Sequence, residues 1–470
     1  MRPLKVIASR TGSTLFALDL ALLALVWPTL LWLGWDRLGG GGGLSGDPRV
    51  ALYPLANMVL LYAMGLHRRE AILETRKSLA RLPLVVGLGA VAAIAAQYLL
   101  GTMLPASGPI EQAPLFVAAM LGFTLCGAVA RIALYALLRQ GLFRRRVLVI
   151  GAGARAAELM AMARQQGHDL HYDIIFVHDG VLGARDPDVG RGPHQTVVSA
   201  TDSNYLQLAI AHDVDQIVVA PDERRGMRLD MLLDCKKNGF PVVQYLDFIE
   251  REARRIDLKW IELGWILYSD GFYYGGLDRA LKRIIDVLVS SVILMLSSGF
   301  LLAAVIAIKW QDRGPVFYAQ NRLTQNGRAF RIFKLRTMRT DAERHGAVWA
   351  AATDNRITRV GQFLRQTRID EIPQLFNVLR GDMSLVGPRP ERPEFTGELV
   401  EKIPLYNERH NVKAGLTGWA QVNYPYGASI EDARAKLSYD LYYVKNFSIL
   451  FDLLIILQTL RVVLFPSGAR

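Results

Sequence analysis

The sequence predicts a membrane α-helical bundle followed by α/β structure, with a further membrane-dipping helix between two α/β domains. Three features point to it: four apolar stretches within the first 143 residues, a strand, Gly-rich turn and helix pattern from Arg144, and a fifth apolar stretch ahead of an arginine-dense C-terminal part. At 470 residues the chain is too long for one domain, and at 51% hydrophobic it is too apolar for an ordinary soluble enzyme. Its net charge of +12 is compatible with nucleic acid, but no nucleic-acid motif occurs, and the arginines cluster beside apolar segments. An anionic membrane surface is the expected partner. The expected domains are 1–143, 144–250, a linker 251–276, and 277–470 with a re-entrant helix at 284–308.

The bundle rests on Leu15 to Trp35, Ala51 to Leu66, Leu82 to Leu104 and Ala113 to Leu138, each roughly long enough to cross a bilayer core. Arg2, Lys5 and Arg10 precede the first segment, the connection HRREAILETRKSLARL is strongly basic, and the fourth segment ends in RQGLFRRR. The first connection is Gly-rich with only Arg37 and Arg49, and PASGPIEQAP has no Lys or Arg. Positive-inside reasoning puts both ends of the bundle in the cytoplasm. A signal peptide is the alternative for the first segment, but it lacks a clear small-residue cleavage site.

From Arg144, RRRVLVIGAGARAAELMAMARQQG reads as strand, turn and helix, with Gly151, Gly153 and Ala156 in the GxGxxA pattern of a Rossmann-like cytoplasmic domain. DIIFVHD supplies a second strand ending at Asp179, farther along than the usual ribose-binding acid, and DQIVVAPD a later one. A lone glycine pattern is weak support for nucleotide binding, so a structural or regulatory domain is the favoured reading.

The fifth apolar stretch, Ile284 to Ile308, is long enough to cross, which would carry the arginine-dense C-terminal part out of the cytoplasm. Yet Arg279, Lys282 and Arg283 precede it, and Lys309 and Arg313 lie just beyond it. Basic charge on both sides favours a re-entrant helix, with Ser297-Ser298-Gly299 as the place for a kink. A straight span or a buried core helix is the alternative.

Beyond it, alternation in GPVFYAQNRLTQNGRAFRIFKLRTM predicts a β-hairpin turning at Asn326-Gly327, which gathers Arg322, Arg328, Arg331, Lys334 and Arg336. RQTRIDEIPQLFNVLRGDMSLVGPRP then sets Asp370-Glu371 among arginines. Ile369, Ile372, Leu375, Phe376 and Leu379 recur at helical spacing, and Pro373 is expected in the first turn. The carboxylates thus fall at or near a helix N-terminus, where anions are favoured. An ionised Asp can attack phosphorus, and a Glu can hold a hard divalent cation; the bland alternative is a capping pair. Arg389 stands between two prolines that fix its backbone, and RHNVKAGLTGWAQVNYPYGAS places Gly415, Gly418 and Gln421, the last able to face a base or sugar.

In this order the motifs resemble the monotopic-type phosphoglycosyl transferases, the bacterial sugar transferases that start exopolysaccharide and O-antigen repeat units. The likeness runs from about Leu277 to Phe465, and the upstream segments look like the long form of the family. The resemblance implies that Asp370 attacks the β-phosphorus of a UDP-sugar, releasing UMP, and that polyprenyl phosphate takes the sugar phosphate from the aspartate. It implies Mg²⁺ on Glu371, and phosphate contacts from Lys334 and Arg336 of KLRTM and from Arg389, with Arg368 beside the doublet. A hexose such as glucose or galactose and a homodimer are expected on family likeness. The localisation implied is the bacterial inner membrane, multi-pass, with the catalytic domain facing the cytoplasm.

Other chemistry is poorly supported. Cys126 and Cys235 make no cluster, His168, His171 and His178 straddle a turn and a strand, and His410 beside Arg409 has no assignable role. Ser448 to Phe465, apolar nearly all round with Asp452, suits an interfacial helix or a further span. A membrane-tethered NAD-dependent sugar-nucleotide oxidoreductase or epimerase would need a Tyr-x-x-x-Lys pair, and Tyr268, Tyr273 and Tyr274 lack the lysine. A non-catalytic nucleotide-sensing scaffold leaves the Asp-Glu, Pro-Arg-Pro and arginine set unexplained.

Overall fold

The computed structural model describes residues 14–22, 24–25, 52–67, 78–89, 91, 113–141, 144–165, 172–199, 204–272, 275–342, 356–424, 427 and 429–464. The chain divides between Ala253 and Arg254 into two compact units.

In the first unit, α1 (Leu52–Ala63), α2 (Ala113–Arg139) and helical residues at 14–22 and 78–89 overlap the four apolar segments, the last of these helices beginning in the basic connection before Leu82. The remainder of those segments, and most of the charged connections that set orientation, lie outside the described residues. Leu15 packs with Leu134 and Leu138. A charge in apolar helices is costly unless paired, and here the Asp19 carboxylate is paired with Arg131 and hydrogen-bonded to His67. Arg131 donates to both Asp19 oxygens at 2.9 and 2.7 Å, and His67 Nε2 lies 2.9 Å from Asp19 Oδ2. All three side chains are buried, so the network joins α2 to the first helix and to the end of α1.

The same unit holds a parallel sheet, β1 (Arg145–Ile150), β2 (Tyr172–His178), β3 (Gln195–Ser199), β4 (Gln216–Val219) and β5 (Val242–Gln244), in the order β3-β2-β1-β4-β5. That is the strand order of a doubly wound α/β sheet. VLVI of β1 is wholly buried because both faces are covered. Leu148 and Ile150 pack with Ile175, Val177, Tyr205 and Leu232 on one side, bringing in α4 (Tyr205–Ala211) and α5 (Leu229–Lys237). Helix α3 (Ala154–Gln165) follows the glycine turn, and α6 (Tyr245–Ala253) closes the unit. Gly151 has φ 114° and lies so close to the Ala220 carbonyl that any side chain would collide. β3 and β5 were not legible in the sequence, being short and only partly buried.

Within the expected linker 251–276, the second unit has contacts to the helix α10 (Ile430–Lys445). Ile256 N donates to Ser438 O at 3.0 Å, and the Lys445 ammonium lies 3.9 Å from the centre of the Trp265 ring. Helix α7 (Gly276–Asp312) comes next, 37 residues long, and it is the one described helix long and apolar enough to cross a membrane. Helical structure is unbroken through Ser297-Ser298-Gly299, where a kink was expected, and the helix exceeds 284–308 at both ends. Ser297 Oγ and Ser298 Oγ bond back to Ile293 O at 2.7 Å and Met295 O at 2.8 Å, which keeps their hydroxyls satisfied within the helix.

Both ends of α7 are fastened to the same unit. Near its start, Arg283 donates to Val378 O and Leu379 O, each at 2.5 Å, and Asp286 accepts from Ser384 Oγ and Leu385 N at 3.1 and 3.0 Å. Near its end, Ala304 and Ile308 pack with Val316, Leu335 and Leu364, and Gln311 Oε1 accepts from Val360 N at 3.1 Å. Between these anchors Leu288, Val292, Met295, Leu296, Phe300, Leu302 and Ile306 are exposed.

The hairpin forms as expected: β6 (Phe317–Leu323) pairs antiparallel with β7 (Ala329–Leu335), and Asn326 and Gly327 take φ 57° and 70°. Then come α8 (Arg359–Gln366), a single 3₁₀ turn Ile369–Glu371 and α9 (Gln374–Arg380). β8 (Ser384–Val386) and β9 (Gly415–Thr417) pair in parallel. The last helix, α11 (Ile449–Leu464), buries Phe451, Asp452 and Ile455 and leaves Leu450, Leu453, Leu460 and Val463 exposed.

Candidate active site

Between α8 and α9 the chain reverses on Arg368, whose φ of 58° is left-handed. Such a conformation costs a non-glycine residue about 1 kcal/mol, and here it turns the next carboxylates inward. Asp370 and Glu371 occupy the 3₁₀ turn, Pro373 sits at the cap, and α9 starts at Gln374. The doublet therefore lies just ahead of the helix N-terminus. The apolar face also differs from the one the spacing predicts: Leu375 and Val378 are buried with Gln374 and Asn377, whereas Phe376 is 48% exposed.

Asn377 accounts for that inversion. β7 has one open edge, and the Asn377 amide fills it, accepting from Phe333 N at 3.0 Å and donating to Arg331 O at 2.7 Å. The α9 helix is thereby registered against the strand that carries Lys334.

Glu371 Oε1 receives Lys334 Nζ at 3.2 Å, an Arg389 guanidinium nitrogen at 3.2 Å and an Arg368 nitrogen at 3.7 Å. Three predicted site residues thus converge on the carboxylate of a fourth. Beside it Asp370 is 6% exposed, and its Oδ1 is buried with no hydrogen-bond partner among the described residues. Burial, reinforced by the Glu371 charge, pushes the Asp370 carboxyl up to about 6 despite Lys334, Arg365 and Arg368. Burial also opposes the Glu371 charge, but Lys334, Arg389 and Arg368 outweigh it and hold that carboxyl well below the usual range. The result is one carboxylate committed to cations and one buried beside it with an unpartnered oxygen.

The loop bearing Arg389 is fixed by backbone contacts. Gly387 N donates to Thr417 O and Gly415 N to Pro388 O, both at 2.9 Å, while Arg409 donates to Arg389 O at 2.9 Å. Side chains at Gly387, Gly415 or Gly418 would strike opposing backbone, so strands β8 and β9 can close only on glycine here. Arg409 is itself buried, paired with Asp440 at 2.8 Å and donating to Tyr406 OH at 2.6 Å. His410 packs edge-on to Tyr406, and burial together with Arg409 lowers its imidazole to about 4.

Two predicted residues are placed differently. Arg336 is buried against the end of α7, bound bidentately to Asp312 and donating to Pro315 O at 2.6 Å. The family resemblance put it with Lys334 on phosphate oxygens, but the strand ends at Leu335, and Arg336 lies at the helix-to-strand corner. Gln421 donates to Leu416 O at 3.0 Å, and its Oε1 is buried without a partner among the described residues. Arg322, absent from the predicted set, reaches Pro390 O at 3.3 Å and Glu391 at 3.8 Å.

The site falls inside the stretch, residues 277–466, that matches the family model described as bacterial sugar transferase. Over 342 residues, 72% of each chain, the protein is 30% identical to the UDP-glucose:undecaprenyl-phosphate glucose-1-phosphate transferase of Escherichia coli (strain K12). The chain belongs to the bacterial sugar transferase family. It is also 41% identical over 338 residues to the undecaprenyl-phosphate glucose phosphotransferase of Komagataeibacter xylinus, 69% of this chain and 60% of that one. Identity is 39% over 265 residues to the UDP-N-acetylgalactosamine-undecaprenyl-phosphate N-acetylgalactosaminephosphotransferase of Aeromonas hydrophila, 56% of this chain and 61% of that one. The chain thus spans less than two thirds of the length of these last two relatives. In this bacterial sugar transferase, Asp370, Glu371, Lys334, Arg368 and Arg389 form one cluster, and Arg336 stands apart from it as a structural clamp.

Proposed function

We propose that the protein transfers a sugar-1-phosphate, first a hexose-1-phosphate, from a UDP-sugar to undecaprenyl phosphate, releasing UMP, as the initiating step of exopolysaccharide synthesis. The observation that carries the reading is the pairing of a buried, unpartnered Asp370 oxygen with a Glu371 gripped by three cations. Asp370 bonds to the β-phosphorus while the bridging P–O bond breaks and its electron pair leaves with UMP. A phosphate oxygen of the polyprenyl acceptor then bonds to the same phosphorus, and the aspartate oxygen leaves with its electrons. Lys334, Arg368 and Arg389 supply fixed positive charge where the diphosphate gathers negative charge, and electrostatic preorganisation of that kind is the main demand of phosphoryl transfer.

The two adjacent carboxylates, one with a free buried oxygen, suit Mg²⁺, which takes one or two carboxylates along with substrate phosphates and water. Bound there by Glu371, Mg²⁺ would neutralise diphosphate charge. No larger cluster of His, Cys, Asp and Glu occurs among the described residues.

Membrane placement rests on α7. A bilayer core is about 30 Å thick, yet the two ends of α7 are fastened to one compact unit, so we place both on the cytoplasmic side of the inner membrane with the exposed apolar middle in lipid. This keeps the same-side logic of a re-entrant helix, with α-helical structure continuous through Ser297-Ser298-Gly299. The N-terminal apolar segments would make the protein multi-pass, and the long form is assigned as a homodimer on family likeness.

The test is UMP release from a panel of UDP-sugars, UDP-glucose first, with undecaprenyl phosphate and Mg²⁺, comparing wild type with Asp370→Asn. Sugar-dependent release abolished in the variant, and a sugar-phosphate mass added to the Asp370 peptide when the acceptor is omitted, are expected. Release that survives Asp370→Asn would overturn the assignment.

A further inference from the structure

The glycine turn after β1 has the form of a dinucleotide site, in which a pyrophosphate rests on the N–H groups opening the next helix. In this chain those N–H groups are already taken. Asp222, from the segment after β4, accepts from Ala154 N through Oδ2 at 2.6 Å and from Arg155 N through Oδ1 at 2.9 Å. Its carboxylate sits so close over Gly153 that a side chain there would run into it.

The surrounding crevice is closed by the same chain. Asp186 N donates to Ala152 O at 2.8 Å and Glu223 N to Leu182 O at 3.2 Å, tying the loop after β2 across the turn. With the strand order β3-β2-β1-β4-β5, the crevice lies at the carboxyl ends of β1 and β4, the switch point where ligands of such sheets bind. The acid at the end of β2 is occupied too: Asp179 Oδ1 accepts from Val181 N at 3.1 Å, and Arg228 stands 3.9 Å from Oδ2.

We propose that Asp222 is a tethered anion that fills the phosphate position of this domain, so that the sheet keeps its doubly wound form without a dinucleotide. The Gly151-Ala152-Gly153 turn persists because a carboxylate needs the same close backbone approach and the same N–H donors as a phosphate. A free phosphate or dinucleotide would meet a fixed negative charge on donors that have none to spare. Replacing the carboxylate by a short neutral group vacates two N–H donors at a helix N-terminus and leaves an anion site.

The experiment is hydrogen exchange on the full-length protein in nanodiscs, read on peptides covering residues 150–160, with NAD⁺, ADP or inorganic phosphate at about 1 mM, weak binders being detectable at that concentration. Wild type is expected to show no ligand-dependent protection there. In Asp222→Ser, inorganic phosphate is expected to slow exchange at Ala154 and Arg155. Asp222→Asn, which retains one acceptor, provides the second variant should the serine protein not fold, and is expected to show weaker protection in the same segment. Protection of this segment by NAD⁺ or ADP in wild type would overturn the proposal, as would a folded Asp222→Ser or Asp222→Asn protein indifferent to phosphate.

Discussion

Two neighbouring carboxylates in one buried niche cannot both be comfortable, and Asp370 carries the strain. Its raised pKa means the folded state favours the protonated acid, so its contribution to stability is present below the ordinary aspartate value and is lost as pH rises through about 6. At pH 8, Asp370→Asn is therefore expected to abolish sugar-phosphate transfer while stabilising the fold by on the order of 1–3 kcal/mol, seen as a higher melting temperature. A variant less stable than wild type at that pH would show that the cations, not burial, set this carboxyl. His410 has the opposite sign. Burial lowers it to about 4, so the unfolded chain binds the extra proton first, and stability falls as pH drops from the ordinary histidine value towards 4. His410→Asn should flatten that part of a melting-temperature profile against pH and leave the alkaline part unchanged.

Asp370, Glu371, Lys334, Arg368 and Arg389 were legible as candidates because carboxylates and cations concentrated in so short a span have few structural uses. Arg336 was misleading for the same reason, since composition says nothing of which cation already has a partner, and its partner Asp312 stands on another element.

Among the elements, α9 and β7 form the joint that matters most. Asn377 is the polar group that spans them, and its removal leaves a buried N–H and a buried C=O unpaired, each costing about 1–3 kcal/mol. Asn377→Ala is expected to lower stability by about 2–4 kcal/mol and to reduce turnover further than Phe376→Ala on the exposed face of the same helix. Equal effects of the two substitutions on turnover, measured by UMP release, would show that register against β7 does not position Lys334. The hairpin turn at Asn326-Gly327 was readable because left-handed φ at two successive residues strongly restricts residue choice. The inner face of α9 was not, because a polar residue on it satisfies a strand edge that only the folded chain creates.

At the scale of the whole molecule, the length of α7 and its two anchorages pull against each other. A 37-residue helix is about 56 Å long, ample for a crossing, yet Arg283 at one end and Gln311 at the other are tied to the same unit. Single cysteines replacing Leu281 and Trp310 in a cysteine-free background should both react with an impermeant maleimide from the cytoplasmic side of membrane vesicles, while one replacing Leu296 should be protected. Labelling of the two end positions from opposite sides would establish a crossing and break the proposed arrangement.

Hydrophobic periodicity, glycine placement and local charge are properties of neighbouring residues, and they were enough to determine the apolar segments, the hairpin, the strand and glycine turn at Arg144 and the chemistry-bearing doublet. Pairing between distant residues is not written locally. Only the tertiary structure decided that Arg336 serves Asp312, that Asn377 completes an edge of β7, that Asp222 fills the glycine turn and that both ends of α7 meet one unit. The reason is physical: a buried polar group must find a partner wherever the fold supplies one, and the fold supplied these from residues 24, 46, 68 and about 95 positions away.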